Sequence, residues 1–174
     1  MRRFITRHHP AGPQWSWIKA GVGATLGIGV VGMMGYFSHM PLLIAPFGAS
    51  SVLLFAVPES ALSQPANVVG GHVLATIVSI ALRSVLPGDW WAIAVAVGVV
   101  VAVLAWARLT HPPAGADPIV VFLMHPGWSF IFLPVLLGAV ALVLVATIVH
   151  MIPPRVVYPA HHLGAVAVET DDGS

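Results

Sequence analysis

The residues of this chain that could do chemistry are concentrated in one short stretch. Positions 110–118 read THPPAGADP, which places His111, Gly115 and Asp117 between long runs of valine, leucine, alanine and isoleucine. A histidine changes its charge near neutral pH and both donates and accepts hydrogen bonds. An aspartate followed by proline is typical of the start of a helix. The stretch therefore combines titratable side chains with a break in the backbone.

A second break of the same kind occurs earlier, where residues 45–51 read APFGASS. Proline pushes the preceding residue out of the helical region, so residues 110–115 are predicted to be extended. Ser50 and Asp117 are then candidate N-caps of the apolar runs that follow, SVLLFAV and PIVVFLM. Seven helical residues span about 10 Å, a third of the ~30 Å hydrocarbon core of a bilayer. Each run is therefore predicted to be a half-helix.

Composition indicates that these half-helices lie in a membrane protein. Hydrophobic residues make up 58% of the 174 positions and charged residues only 7%, against about 25% charge in soluble domains. Four apolar segments predict four long transmembrane helices, at about 17–37, 67–86, 90–109 and 128–152. The net charge of +1 gives no support for a nucleic-acid partner, and without cysteine there is no disulfide or thiolate. We therefore predict an all-α integral membrane protein.

The two halves of the chain align with each other. A shift of 67 positions places Pro46 on Pro113, Gly48 on Gly115 and Ser50 on Asp117, and it also superimposes Phe55 on Phe122 and Gly71 on Gly138. This predicts an internal repeat over about residues 15–86 and 90–152, each unit holding a long span, a break, a half-helix and a second long span. Residues 1–14 and 153–174 are expected to be cytoplasmic segments.

The topology has two solutions. Re-entrant half-helices give four crossings, whereas segments that cross fully give six, and the distribution of positive charge does not separate the two. We favour six, since each repeat then has three crossings and the repeats are inverted, a common transporter plan. In both cases the termini are expected to be cytoplasmic, with the chain in the cell (inner) membrane.

Paired, broken half-helices point to a binding site, because free amides at a helix start carry partial positive charge and attract anions. Gly48 and Gly115 are expected to adopt positive φ there. The alternative is that the breaks are surface loops between ordinary spans. We predict a small-anion site, without metal or cofactor, formed by Pro46, Gly48, Ala49, Ser50, Ser51, Asn67, His72, Arg108, His111, Pro112, Pro113, Gly115, Ala116 and Asp117.

Several of these side chains have two possible roles. His111 either contacts substrate or caps the preceding span, and Arg108 either lends charge to the cavity or snorkels to the interface. Asp117 is expected to be an N-cap rather than a proton carrier. Asn67 and His72 either line the cavity or bond helix to helix. No nucleophile–base pair or carboxylate cluster is visible in the spacing, so no enzymatic activity is expected.

The motifs THPPAGADP, PLLIAPFGASSVLLF and SQPANVVGGH together resemble the HPP family of small integral membrane proteins, over roughly residues 15–152. The family takes its name from the stretch that is His111-Pro112-Pro113 here. Its association with nitrite transport implies a transporter with nitrite as the leading substrate. The alternatives are a non-transporting structural or sensory subunit, and an aquaporin-like channel for another small solute.

The first span also predicts an assembly. It carries glycines at a spacing of four, including Gly23 and Gly27, which allow a neighbouring helix to come close. Since closed symmetric assemblies are common, we expect a homo-oligomer, with a dimer favoured.

Overall fold

The computed structural model describes residues 14–160, and all regular secondary structure in that range is helical. This confirms the all-α prediction. The described part of the chain contains six α-helices: α1 (Ser16–Ser38), α2 (Ala45–Ala56), α3 (Pro65–Arg83), α4 (Trp90–Trp106), α5 (Asp117–Met124) and α6 (Leu137–Met151). Short 3₁₀ turns cover Ala61–Ser63, Pro112–Ala116 and Trp128–Ile131, and Phe132–Leu136 forms a π-type turn before α6. Most of the predicted N-terminal segment and residues 161–174 of the predicted tail lie outside the described residues.

Within residues 14–160, three helical segments are long and apolar enough to cross a membrane: Ser16–Ser38, Pro65–Arg83 and Trp128–Met151. The remaining predicted span, at about residues 90–109, is shorter than expected. It ends at Trp106 after 17 residues, or about 25 Å. Just beyond it, Arg108 adopts a left-handed conformation with φ of 57°, which a continuing helix does not tolerate.

The direction of each segment follows from its contacts. After α1 the chain turns back alongside it, so that Leu43 lies opposite Gly32 and Phe55 lies opposite Gly23 and Gly27. The end of α2 thus reaches the end of the molecule where α1 starts. There Lys19 Nζ donates hydrogen bonds to the carbonyls of Ile152 and Pro154, at 2.7 and 2.6 Å. We call this the near end.

The second broken segment runs in the opposite direction. His111 lies beside Gly71 in the first half of α3, whereas His125, just after α5, faces Gly88 in the α3–α4 loop. That loop defines the far end. The broken segment around α2 therefore runs from the far end to the near end, and the one around α5 runs back to the far end.

The two halves of the described chain share packing contacts. Phe55 of α2 fills the space above Gly23 and Gly27 of α1, and Phe122 of α5 packs on Ala92 and Ala96 of α4. In both halves, small residues four apart on the first helix contact the phenylalanine of the second helix. The contacting helix pairs also correspond between the two halves: α1 with α2 matches α4 with α5, α1 with α6 matches α4 with α3, and α3 with α5 matches α6 with α2.

The predicted helix starts were wrong in detail. Helix α2 begins at Ala45, with Ile44 as its N-cap, so Ser50 lies in its second turn. Asp117 is the first residue of α5 rather than its N-cap, which is Ala116. Residues from Pro112 onward form a 3₁₀ turn instead of an extended strand. The physical reason is that proline, with φ preset near −65°, is well suited to the first turn of a helix.

The predicted positive φ of Gly48 and Gly115 was also wrong. No glycine among residues 14–160 has positive φ. Gly48 lies within α2 and Gly115 within the 3₁₀ turn, where the backbone has ordinary helical geometry.

Candidate functional site

Four polar side chains form one hydrogen-bonded chain inside the bundle. Ser50 Oγ lies 2.8 Å from His72 Nε2 and 2.8 Å from His111 Nε2. On its other side, His72 Nδ1 lies 2.8 Å from Asp117 Oδ2. We call these residues (Ser50, His72, His111 and Asp117) the polar cluster. It joins the two breaks, since Ser50 comes from α2 and Asp117 from the start of α5.

The polar cluster is closed to solvent. Its side chains belong to residues that are at most 1% exposed, in a bundle whose interior is otherwise largely apolar. Phe47 packs edge-on against His72, with ring centroids 5.3 Å apart, and the two imidazoles are 5.0 Å apart. Ionisable groups inside a membrane domain are costly and usually functional. The polar cluster is therefore the candidate functional site.

Backbone contacts fix the position of His111. Its Nδ1 lies 2.8 Å from the carbonyl oxygen of Leu62, in the α2–α3 connection. Asn67 Nδ2 donates to the carbonyl of Thr110 at 3.0 Å. Gly71 allows the close approach, because a Cβ there would lie 2.9 Å from the Cβ of His111.

Two buried oxygen atoms beside this chain have no hydrogen-bond partner among the described residues: Asp117 Oδ1 and Thr76 Oγ1. Thr76 follows His72 by one turn of α3. Buried polar atoms normally have partners. These two mark a position where water, a proton or a substrate atom can be received.

A polar stripe continues along α3 towards the far end. His72, Thr76 and Ser79 are fully buried, and Arg83 follows one turn later, half-buried. Their spacing places them on one face of the helix. Arg83 Nη1 donates to the carbonyl of Leu86 at 3.0 Å, and its guanidinium lies 5.6 Å from the centre of the Phe122 ring. The stripe connects the polar cluster to a cation at the far end.

On the other side, the chain after α6 covers the near end. Tyr158 Oη donates to the carbonyl of Ser63 at 3.0 Å, and the amide of Ala160 donates to Gln64 Oε1 at 2.9 Å. His150 Nε2 lies 2.8 Å from the carbonyl oxygen of Leu54. These contacts hold the connection that carries Leu62, the backbone partner of His111.

The remaining predicted site residues lie around the polar cluster rather than in it. The carbonyl of Pro46 accepts a long hydrogen bond from Ser50 Oγ, at 3.3 Å. Ser51 Oγ donates a hydrogen bond to the carbonyl of Phe47 in its own helix. Pro113 is buried, Gly115 and Ala116 are half-buried, and Gly48, Ala49, Pro112 and Arg108 are exposed.

The predicted role of the backbone amides was wrong. Amides from Ala49 onward fall inside α2, where they donate to the carbonyls four residues earlier. In the second break the amides of Ala114 and Asp117 donate to the carbonyls of His111 and Ala114. Donors in the candidate site are therefore side chains.

Sequence reasoning named all four members of the polar cluster but missed their contact. Ser50 is 22 residues from His72 and 61 from His111, and no spacing rule joins them. It also missed the stripe on α3. The signal there was a helical period of polar residues at 72, 76, 79 and 83 inside an apolar span.

Ser50, His72 and Asp117 follow the hydroxyl–imidazole–carboxylate order of nucleophilic catalysis. Here, however, a second imidazole lies at the same distance on the other side of a fully buried hydroxyl. A hydroxyl between two imidazoles is suited to passing a proton. Within residues 14–160, no group of three or more His, Cys, Asp and Glu side chains is arranged to hold a metal ion.

Comparison with known proteins agrees with this architecture. The sequence model of the HPP transmembrane region matches residues 9–159. Two transmembrane proteins of Dictyostelium discoideum are 31% and 30% identical to the chain, over 84% and 83% of its length. The chain spans about half of these relatives, 54% and 49%. No solved structure gives a significant match.

Proposed function

Since the chain belongs to the HPP transmembrane family, we propose that it transports a small inorganic anion across the cell (inner) membrane, with nitrite as the first candidate. The observation that carries this proposal is the polar cluster. Side chains from both broken segments converge there, in the interior of an apolar bundle. Broken segments at corresponding places in two repeats are the typical site of transport in repeat-built carriers.

The proposal includes a topology. We infer six crossings, because each broken segment joins the near end to the far end. The first repeat then begins at the near end and the second at the far end, so the repeats are inverted. The described part of the chain, residues 14–160, begins and ends at the near end, and we propose that this end faces the cytoplasm. The expected dimer stays a prediction; Gly23 and Gly27 are already covered by Phe55, so a partner would use another face.

The chemistry of the polar cluster suits a small anion. A hydroxyl and imidazole N–H groups donate hydrogen bonds without the fixed charge of a lysine, whose burial costs several kcal/mol. Such donors bind an anion and still allow its release. Arg83 supplies a cation at the far end, about 16 Å along α3 from His72, where it can attract the anion before entry.

The test is nitrite flux in proteoliposomes that contain the purified protein. We expect a nitrite gradient to dissipate faster than in protein-free vesicles. Small monovalent anions should compete with nitrite, whereas sulfate should not, because a divalent anion is harder to bury. A rate equal to that of protein-free vesicles would favour a non-transporting structural or sensory subunit instead.

A further inference from the structure

The hydrogen-bond distances in the polar cluster determine how many hydrogens it must contain. It contains four contacts of 2.8 Å: Asp117 to His72, His72 to Ser50, Ser50 to His111, and His111 to the carbonyl of Leu62. Each contact joins two atoms that can carry lone pairs, so each needs one hydrogen between them. The chain as a whole therefore needs four hydrogens.

The side chains in their usual forms bring one too few. A neutral imidazole carries one N–H, a serine one O–H and an ionised aspartate none. His72, Ser50 and His111 together supply three hydrogens. One of the four contacts would then place two lone pairs 2.8 Å apart, which is repulsive.

Two further atoms, Ser50 Oγ and Asp117 Oδ1, also indicate that the polar cluster lacks a hydrogen. Ser50 Oγ also lies 3.3 Å from the carbonyl of Pro46, and this contact can only raise the number of hydrogens needed. Asp117 Oδ1 is buried without a partner among the described residues, and an ionised carboxylate in that position is costly. An additional proton on Asp117, His72 or His111 satisfies the four 2.8 Å contacts and leaves the polar cluster neutral.

We infer that the polar cluster is a proton-binding site that closes by taking up one proton, so that opening it for an anion releases that proton. The role of this proton in transport rests on the proposed function, whereas the proton count rests only on the hydrogen-bond distances. In the closed form the hydrogens run in one direction. Asp117 O–H donates to His72 Nδ1, His72 Nε2–H to Ser50 Oγ, Ser50 O–H to His111 Nε2, and His111 Nδ1–H to the Leu62 carbonyl.

Among residues 14–160, the other titratable groups carried by the helices lie away from this site. Helices α2 and α4 contain none, and α5 contains only Asp117. Helix α6 contributes His150, which is held at the near end by Leu54; α1 contributes Lys19 and Tyr36 near its two ends, and α3 contributes Arg83 at the far end. The added proton therefore belongs to Asp117, His72 or His111.

The sign of the pH effect follows from linkage. The closed form binds one proton more than the open form, so lowering the pH favours the closed form. A one-proton step changes the ratio of open to closed protein by up to about tenfold per pH unit. Transport should therefore slow as the pH falls.

Asp117→Asn is the matched variant. Its amide N–H can replace the carboxylic O–H as donor to His72, which leaves all four contacts satisfied at every pH. In proteoliposomes with equal pH on both sides, we expect wild-type nitrite flux to rise with pH and that of Asp117→Asn to stay slow and flat. Protein-free vesicles correct for nitrous acid, whose passive leak changes in the opposite direction. A wild-type flux that is flat or rises as the pH falls would overturn the inference.

A second measurement does not need transport. In protein labelled with ¹⁵N-histidine, assigned by His72→Gln and His111→Gln, we expect His111 in the Nδ1–H tautomer. His72 should report one titration step in the wild type and none in Asp117→Asn. If no variant moves nitrite but this step is seen, the proposed function fails and the proton site stands. If the step is absent from the wild type, the proton site fails whatever the flux.

Discussion

At the scale of single residues, the chemistry of this protein depends on side chains whose partners are remote in sequence. His111 and Asp117 were predicted from the broken stretch at residues 110–118, and His72 as a polar side chain of the second long span. The contacts of both histidines with Ser50, and of Asp117 with His72, depend on how four segments pack. Ser50 and Asp117 were expected to be N-caps. Because each segment has a proline near its start, the first helical turn begins before these two residues. That displacement frees both side chains for the polar cluster.

Thr76 offers a residue-scale prediction. Its hydroxyl is buried without a partner among the described residues, so Thr76→Val removes an unsatisfied group at nearly constant volume. We expect the free energy of unfolding to stay the same or increase by about 1 kcal/mol, measured by thermal unfolding in detergent. If the hydroxyl lines the anion path, nitrite flux should nevertheless fall. A clear loss of stability would show that Thr76 has a structural partner.

At the scale of helices, the packing of the two halves shows which features could be predicted from the sequence and which could not. The 67-residue shift matched Gly71 with Gly138 and Phe55 with Phe122, and each pair has equivalent packing. The absence of a side chain at Gly71 leaves room for His111, which precedes α5, and its absence at Gly138 leaves room for Phe47 at the start of α2. Helix lengths were less predictable. Helix α4 ends at Trp106, shortly before Arg108 adopts a left-handed conformation, and no feature of the apolar run predicts this end.

Gly138 provides the element-scale prediction. A methyl group there would clash with the Phe47 ring, and overpacking of this kind typically costs about 1–3 kcal/mol. We expect Gly138→Ala to lower the unfolding temperature and Phe47→Leu to restore part of the loss in the double variant. Gly29→Ala is the control, because a Cβ at Gly29 meets nothing within 4 Å. Equal unfolding temperatures for Gly138→Ala and Gly29→Ala would contradict the packing of α2 on α6.

At the scale of the whole molecule, the broken segments were expected to be either re-entrant or fully crossing. Composition does not distinguish these topologies. An extended stretch followed by a half-helix has too few consecutive apolar residues to be predicted as a transmembrane span, even if it crosses the membrane. The packing of each broken segment against its neighbours supports six crossings. It also supports placing the α2–α3 connection and the α3–α4 loop on opposite sides of the membrane.

Single cysteines test this topology without background, since the chain has none of its own. Ser60→Cys lies in the near-end connection and Ser84→Cys in the exposed far-end loop. With an impermeant thiol reagent added to intact cells, we expect labelling of Ser84→Cys, and labelling of Ser60→Cys only after permeabilisation. Labelling of both from one side would rule out six crossings.

The central claim is that an anion passes through the polar cluster, and adjacent serines test it most directly. Ser50 bridges the two imidazoles, whereas Ser51, equally buried, bonds only within its own helix. Nitrite flux should be measured in proteoliposomes with wild type, Ser50→Ala and Ser51→Ala at equal protein content. We predict a loss of about tenfold or more for Ser50→Ala, the cost of one hydrogen bond to a charged group, and near wild-type flux for Ser51→Ala. Equal flux through all three proteins would contradict the claim.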